Sequence, residues 1–270
     1  MNIERFFYEH PVFRLDEFAA AKSTAGSLSG QSVQSSLQYY LKKGKIMRIR
    51  RELYAVMPPN KLATKHVVDP YLIAAKVVPD SILALHTAVS LYGLEYSVFN
   101  TFTYYSRHKT KAFHFQGCSF RPIVMPSVFE PEKEKGFLAQ EINRQGVNIK
   151  VTTLEQTFVD ILNRVGLSGG WEEVVRALDN MTVLDIERVI KYALAHDNAI
   201  LNAKVGYFLE QRSKVFSASQ EQIMKLEAHR PSIPQYISQD RRDSTLIKKW
   251  NIYLPNAVIN RSWEENLDDF

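Results

Sequence analysis

One stretch of the chain concentrates side chains able to read and grip a DNA duplex. Gln31, Ser35, Gln38 and Lys42 recur at i, i+4, i+7 and i+11, with Gln34 at their edge, so they share one helical face. Amide side chains can bond base edges bidentately in the major groove, which an α-helix fits. Directly after them, Lys42, Lys43, Lys45, Arg48, Arg50 and Arg51 fall within ten residues that contain no acid. Such cations suit phosphates or the minor groove. The same block would also serve as a solvated basic face with no partner.

Residues suited to covalent or acid–base chemistry are sparse by comparison. Glu155 and Asp160 are the best carboxylate pair, but five residues on a helix diverge by about 140° at 3.6 residues per turn. Glu155 instead fits a capping arrangement with Thr152, three residues earlier. No two of the seven histidines lie two to four residues apart, so no metal cluster is expected. His86 lies in an apolar run and reads as a hydrogen-bonded core or interface residue. Cys118 lies in an aromatic strand and reads as a small buried hydrophobe. Gly169-Gly170 lacks the Lys-Ser/Thr of a phosphate loop and reads as a turn, and no Gly-x-Ser-x-Gly elbow occurs. These residues predict no catalytic site, cofactor or metal.

The elements that must hold the polar face are legible around it. Phe13, Leu15, Phe18 and Ala19 mark a short helix, with Asp16 and Glu17 in its first turn where carboxylates suit the helix dipole. Ser23 to Gly30 is a turn by composition. The next helix runs from near Gln31 to Lys43, capped by Ser29, with Val33, Leu37, Tyr40 and Leu41 as its apolar face. Gly44 ends it. Ile46, Arg48 and Arg50 then fall on one side of a strand and Met47 and Ile49 on the other. A turn at Arg51-Glu52 returns the chain through Tyr54 and Val56 to Pro58-Pro59. Two helices, a glycine stop and a basic hairpin predict a winged helix-turn-helix over residues 1–65.

Residues 66–270 predict a larger mixed α+β domain. Asn60 to His66 forms a polar linker, and Asp69-Pro70-Tyr71 opens a helix ending at Pro79. Ile82 to Tyr92 is a second helix, stopped by Gly93. Asn100–Tyr105, Ala112–Gln116, Cys118–Val124 and Asn148–Thr152 read as strands. Helices follow at Leu154–Asn163, Trp171–Leu178, Asp185–His196, Ala199–Arg212 and Gln220–Arg230, with short extended pieces at Gln235–Ile237 and Ile252–Leu254. Grouped strands give the class as α+β with a mixed or antiparallel sheet.

The charge follows the same division. Residues 1–65 hold eleven Lys/Arg against five Asp/Glu, a net of +6, and residues 66–270 hold twenty-three against twenty-four, a net of −1. In 270 residues with 45% hydrophobic content, a real core needs no staples, and a single cysteine excludes a disulfide framework. The N-terminus has no secretory h-region, and apolar runs such as Tyr71–Val78 stop short of the ~18–20 residues of a membrane span. The expected place is the cytoplasm, with no membrane partner.

Taken in order, these motifs resemble the AbiEi family, antitoxins and transcriptional regulators of type IV toxin–antitoxin systems. Phe13 to Ala21 is similar to its first helix-turn-helix segment, and Tyr40 to Val56 to the end of its recognition helix and wing. Asp69 to Ala74, His86 to Leu94, Gly169 to Val174 and Gly206 to Glu210 resemble later signatures. Thr152 to Asp160 matches the family's Thr-x-x-Glu-Arg-Thr-x-x-Asp pattern except at Gln156, where the family has Arg. Glu52 replaces a usual Gly, which predicts a wider wing turn. The tail after about Arg212 matches no signature.

The resemblance implies a repressor of its own operon that binds double-stranded DNA at promoter inverted repeats, with cooperative self-association on the DNA. It also implies a functional partner, a nucleotidyltransferase-like toxin, countered without a stable complex. Two other classes stay open from the residues alone. One is a DNA-targeted enzyme whose C-terminal domain acts on nucleic acid or nucleotides. The other is a scaffold whose winged helix binds protein.

Overall fold

The computed structural model describes residues 3–23, 30–58, 66–129, 139–238 and 241–264; the burial of Gly30 and the side chain of Gln31 also lie outside the description. The composition-defined turn after Ser23, its Ser29 cap and most of the Asn60–His66 linker fall outside the described residues. The chain is α+β, as its grouped strands predict, and divides into two compact units. Met1–Leu83, Asn100–Val124 and Gln140–Val151 form the first; Ala84–Phe99, Met125–Ala139 and Thr152–Phe270 form the second. The boundary read between residues 65 and 66 lies inside the first unit.

The first unit opens with α1 (Ile3–Glu9), β1 (Val12–Arg14), α2 (Leu15–Ser23), α3 (Gly30–Lys42), β2 (Ile46–Arg50) and β3 (Leu53–Val56). The strands form an antiparallel sheet in the order β1-β3-β2. Neither α1 nor β1 is apparent from pattern alone, and Phe13 belongs to β1 and not to the following helix. Phe6, Phe7, Phe13 and Phe18 are buried together, with ring centroids 5.3–6.2 Å apart. Each such ring contributes roughly 1.5–3 kcal/mol of hydrophobic stabilisation. The cluster explains why a short, polar-surfaced segment folds.

Next come α4 (Pro70–Lys76) and the strands β4 (Ile82–Leu83), β5 (Thr101–Ser106), β6 (Phe113–Phe115), β7 (Cys118–Val124), β8 (Gln140–Arg144) and β9 (Val147–Val151). These strands make one mixed sheet in the order β6-β7-β5-β4-β9-β8. The Asp69 carboxylate caps α4 by accepting the Tyr71 N–H, as the Asp-Pro-Tyr start predicts. Tight turns with φ > 0 at Gln116-Gly117 and Gln145-Gly146 close the two antiparallel hairpins. Lys76 Nζ meets Glu17 Oε1 at 2.6 Å, tying α4 to α2.

One expected helix divides. Ile82 and Leu83 join the sheet, pairing with Tyr105, Tyr104 and Val151. Leu85 turns the chain at φ +57°, and the second unit's first helix, α5 (His86–Leu91), starts there. A short apolar run buried on every side carries no periodicity to separate strand from helix.

The second unit continues through α6 (Leu154–Asn163), α7 (Trp171–Asn180), α8 (Ile186–Ala195), α9 (Ala199–Gln211), α10 (Ser213–Phe216) and α11 (Gln220–Glu227). A small sheet of β10 (Gln235–Tyr236), β11 (Ser244–Ile247) and β12 (Ile252–Pro255) follows, then α12 (Asn256–Asn260). Trp250 anchors this tail. Its ring is fully buried on α9, where a Cβ at Gly206 would lie 2.1 Å away, and its indole N–H donates to Glu210 at 2.9 Å. The Gly206–Glu210 signature thus holds a side chain from a tail that sequence matching leaves unassigned.

The cap of α6 sits one residue later than expected. Thr153 is the N-cap: its hydroxyl accepts the Gln156 N–H, and the Gln156 side chain accepts the Thr153 N–H. Thr152 bonds Thr157 instead, and Glu155 accepts the Asp185 N–H. Gln156, the departure from the family pattern, is what completes the capping box. Thr153→Ala should therefore lower unfolding free energy by about 1 kcal/mol. Glu155→Ala should change it by less than about 0.5 kcal/mol. Urea unfolding of the full chain separates the two; a larger loss for Glu155→Ala would refute this cap.

Candidate nucleic-acid interface

Helix α3 presents its polar face because its other face has a place to go. Val33 and Leu37 are buried, and the half-buried Tyr40 meets Phe7 edge-on at 5.0 Å. The helix ends in a complete Schellman arrangement. Gly44 takes φ +65°, its N–H donates to Leu41 O at 3.0 Å, and the Lys45 N–H donates to Tyr40 O at 3.0 Å. Glycine is the residue that adopts this conformation at no steric cost.

Gln34, Ser35, Gln38 and Lys42 are exposed and, with Tyr39, line one open depression along α3. The structure thus brings together four of the five groove residues read from sequence. The side chain of Gln31 lies outside the described residues. Lys43 is exposed at the helix end, its ammonium 5.9 Å from the Tyr39 ring. Lys45 Nζ reaches Glu4 at 2.6 Å, and that hydrogen bond and the carboxylate charge hold it above the ordinary lysine pKa. Both side chains are about half exposed or more, so the pair is weak and phosphate can compete for the lysine.

The hairpin departs from simple alternation. Arg48 pairs with Tyr54 and Arg50 with Leu53, which leaves Ile49 as a bulge. The turn is the two residues Arg51 and Glu52, with Glu52 at φ +62°. The wider turn expected from losing glycine does not form; Glu52 adopts the left-handed conformation itself. Arg48 and Arg51 are exposed, and Arg51 Nε lies 3.3 Å from Glu52.

Arg50 goes elsewhere. Its guanidinium lies 4.7 Å from the Phe113 ring centroid, and Nη1 donates to Thr110 Oγ1 at 3.4 Å. The bulge at Ile49 lies between Arg48, which faces water, and Arg50, which packs on the sheet. Thr110 sits within Arg107-His108-Lys109-Thr110-Lys111, a basic loop that averaging over residues 66–270 conceals. The overlooked signal is local: no acid occurs between Glu95 and Glu130.

The candidates for other chemistry lie in the following surroundings. The His86 Nε2 lies 3.0 Å from Glu173 Oε1, and Glu173 also accepts the Tyr96 and Ser97 N–H groups at 2.9 and 3.1 Å. Burial pulls the His86 pKa down against the attraction of Glu173. Asp160 is fully buried and accepts the Tyr192 hydroxyl at 3.1 Å. Near it, burial and then the Arg164 charge lower His196 to about 4, so that imidazole is neutral at neutral pH. Buried Lys204 donates to Leu162 O at the end of α6, and burial lowers its pKa to about 8. Cys118 is half-buried, its thiol pKa raised by burial. Among the described residues no group of three His, Cys, Asp or Glu is placed to hold a metal ion, and no helix is long and apolar enough to cross a membrane.

Comparison with known proteins gives a fold and no family. No family model matches the sequence, and no curated protein matches it. Among solved structures, the chain is similar to the RV2827C protein from Mycobacterium tuberculosis, with a TM-score of 0.62 and 15% identity over 94% of this chain and 89% of that one. At that identity the likeness is one of architecture.

With Arg50 on Phe113, the cations around α3 and the hairpin that face outward are Lys42, Lys43, Lys45, Arg48 and Arg51. Used on a duplex, four or five of them should give a log–log salt slope of about −3.6 or steeper, at about −0.9 per phosphate. Titration of duplex DNA between low and moderate salt measures it. A flat response would remove the phosphate role.

Proposed function

We propose that this protein is a double-stranded-DNA-binding transcriptional autorepressor and the antitoxin of a type IV toxin–antitoxin system, acting in the cytoplasm. The first six elements read as a winged helix-turn-helix, with α3 as recognition helix and β2–β3 as wing. One observation carries the DNA-binding part: an uncharged Gln/Ser face on α3, exposed beside a hairpin whose Arg48 and Arg51 are also exposed. Amides in the groove specify bases, and flanking cations supply affinity. Resemblance to the AbiEi family supports the rest. That includes promoter inverted repeats as target, cooperative self-association on DNA, and a nucleotidyltransferase-like toxin opposed without a stable complex.

No catalytic role is assigned to the chain. The enclosure of Asp160 by Tyr192, with Glu155 held at the Asp185 N–H, supports that assignment by giving both carboxylates structural work. It weighs against the alternative of a DNA-targeted enzyme.

Gln38→Ala should cost about 1–3 kcal/mol on the operator and little on random duplex. Operator and random duplexes titrated in parallel by fluorescence anisotropy decide it. Equal losses on both would refute the groove assignment.

Antitoxicity is tested in cells by co-expressing a nucleotidyltransferase-like toxin, sought among the neighbouring genes, with the full-length protein or with its Gln38→Ala variant. Rescue by both is expected, because the toxin is opposed without operator reading. Failure of the wild-type protein to rescue would overturn the antitoxin assignment.

A further inference from the structure

The wing does not stand alone in the fold. Arg50, one residue from the Arg51-Glu52 tip, lies over Phe113 of β6 and donates to Thr110 of the β5–β6 loop. The buried Tyr104 phenol underneath is raised in pKa by burial, while Thr110 and the Arg50 charge pull it down. The tip and this loop are therefore neighbours within one compact unit. The loop carries Arg107, His108, Lys109 and Lys111, all exposed. Its first half is fixed from below by Asp80, which accepts Ser106 Oγ at 2.8 Å and the Arg107 N–H at 2.7 Å and meets His108 Nδ1 at 2.8 Å. A basic loop held this way loses little entropy on binding an anion.

We infer that the β5–β6 loop is a second phosphate-contacting segment, with Lys109 and Lys111 gripping the DNA backbone next to the stretch held by the wing. The inference rests on the proposed duplex-binding role of α3 and the hairpin, and extends that surface to a segment about 55 residues further along the chain. Arg50 then acts as a positioning residue, fixing wing and loop in one frame without touching DNA. Phosphates repeat about every 1.7 Å of duplex axis, both strands counted, so two adjoining basic segments can engage successive phosphates. Contacts of this kind carry no base information and strengthen operator and random binding alike.

The test uses the full-length protein and two duplexes, the region upstream of its own gene and a scrambled sequence of equal length. Lys109→Gln/Lys111→Gln should make the log–log salt slope shallower by about 1.8 on both duplexes, two phosphates at about 0.9 each. At about 0.1 M salt, affinity should fall on the order of tenfold or more. Lys214→Gln/Lys248→Gln, which removes equal charge from exposed positions of the second unit, should leave the slope unchanged. Lys42→Gln/Arg48→Gln reports separately on the proposed surface. If that variant weakens binding while Lys109→Gln/Lys111→Gln behaves as wild type, the loop inference is wrong and the DNA-binding proposal stands. If the wild-type protein shows no salt-dependent duplex binding, both fail. Equal losses for the loop and second-unit variants would reduce the effect to net charge and overturn the inference. Circular dichroism confirms that each variant is folded.

Discussion

The packing of four phenylalanines beneath α3 is the constraint on which the candidate interface depends. Among the residues of this helix whose burial is described, Val33 and Leu37 are the buried ones, so the helix contributes little apolar area of its own. Isolated helices of its 13-residue length are marginal in water. Phe6 and Phe7 come from α1, Phe13 from β1 and Phe18 from α2, and together they supply the surface on which α3 rests. Because that surface accepts one face of the helix, the face with Gln34, Ser35 and Gln38 is left outward. The presentation of polar residues is thus a consequence of aromatic packing several elements away.

Arg50 illustrates how a local irregularity redistributes function among like residues. In an unbroken strand, Arg48 and Arg50 would share a face. The bulge at Ile49 breaks that equivalence, and one guanidinium faces water while the other covers an aromatic ring. An exposed cation–π contact is worth about 0.5–1 kcal/mol, and more when desolvated. That is too little to hold a domain but enough to fix the direction of one hairpin. A count of cations treats the two arginines as interchangeable; the backbone makes them different.

Much of the fold was legible because its signals are local. The helix Leu154–Asn163, the strand Cys118–Val124 and the glycine stop at Gly44 match their sequence expectation to the residue. What was not legible depends on partners distant in sequence. Ile82 and Leu83 are strand residues because Tyr104, Tyr105 and Val151 lie beside them. The cap of α6 was misplaced by one residue because Thr152 and Thr153 are both able to cap, and only the buried Thr152–Thr157 contact removes the first from contention. At the candidate site, the Gln/Ser face and basic hairpin follow from spacing, whereas the role of Arg50 requires knowing that Phe113 is there.

The wing turn carries the sharpest conflict between conformation and charge. A non-glycine residue in the left-handed region costs roughly 1–2 kcal/mol, and Glu52 occupies that region at φ +62°. It also places a carboxylate 3.3 Å from Arg51, its neighbour in the turn. An acid at a wing tip repels the backbone that the wing is proposed to approach. On the proposed reading, more of the grip therefore falls to cations set back from the tip, Lys42, Lys43, Lys45 and Arg48, and to the β5–β6 loop. Paired with Arg51, Glu52 leaves the tip without net charge, so the tip itself adds little attraction for phosphate. Specific binding would depend on α3 entering the groove, so that the amide face, and not the basic block, decides where the protein stays.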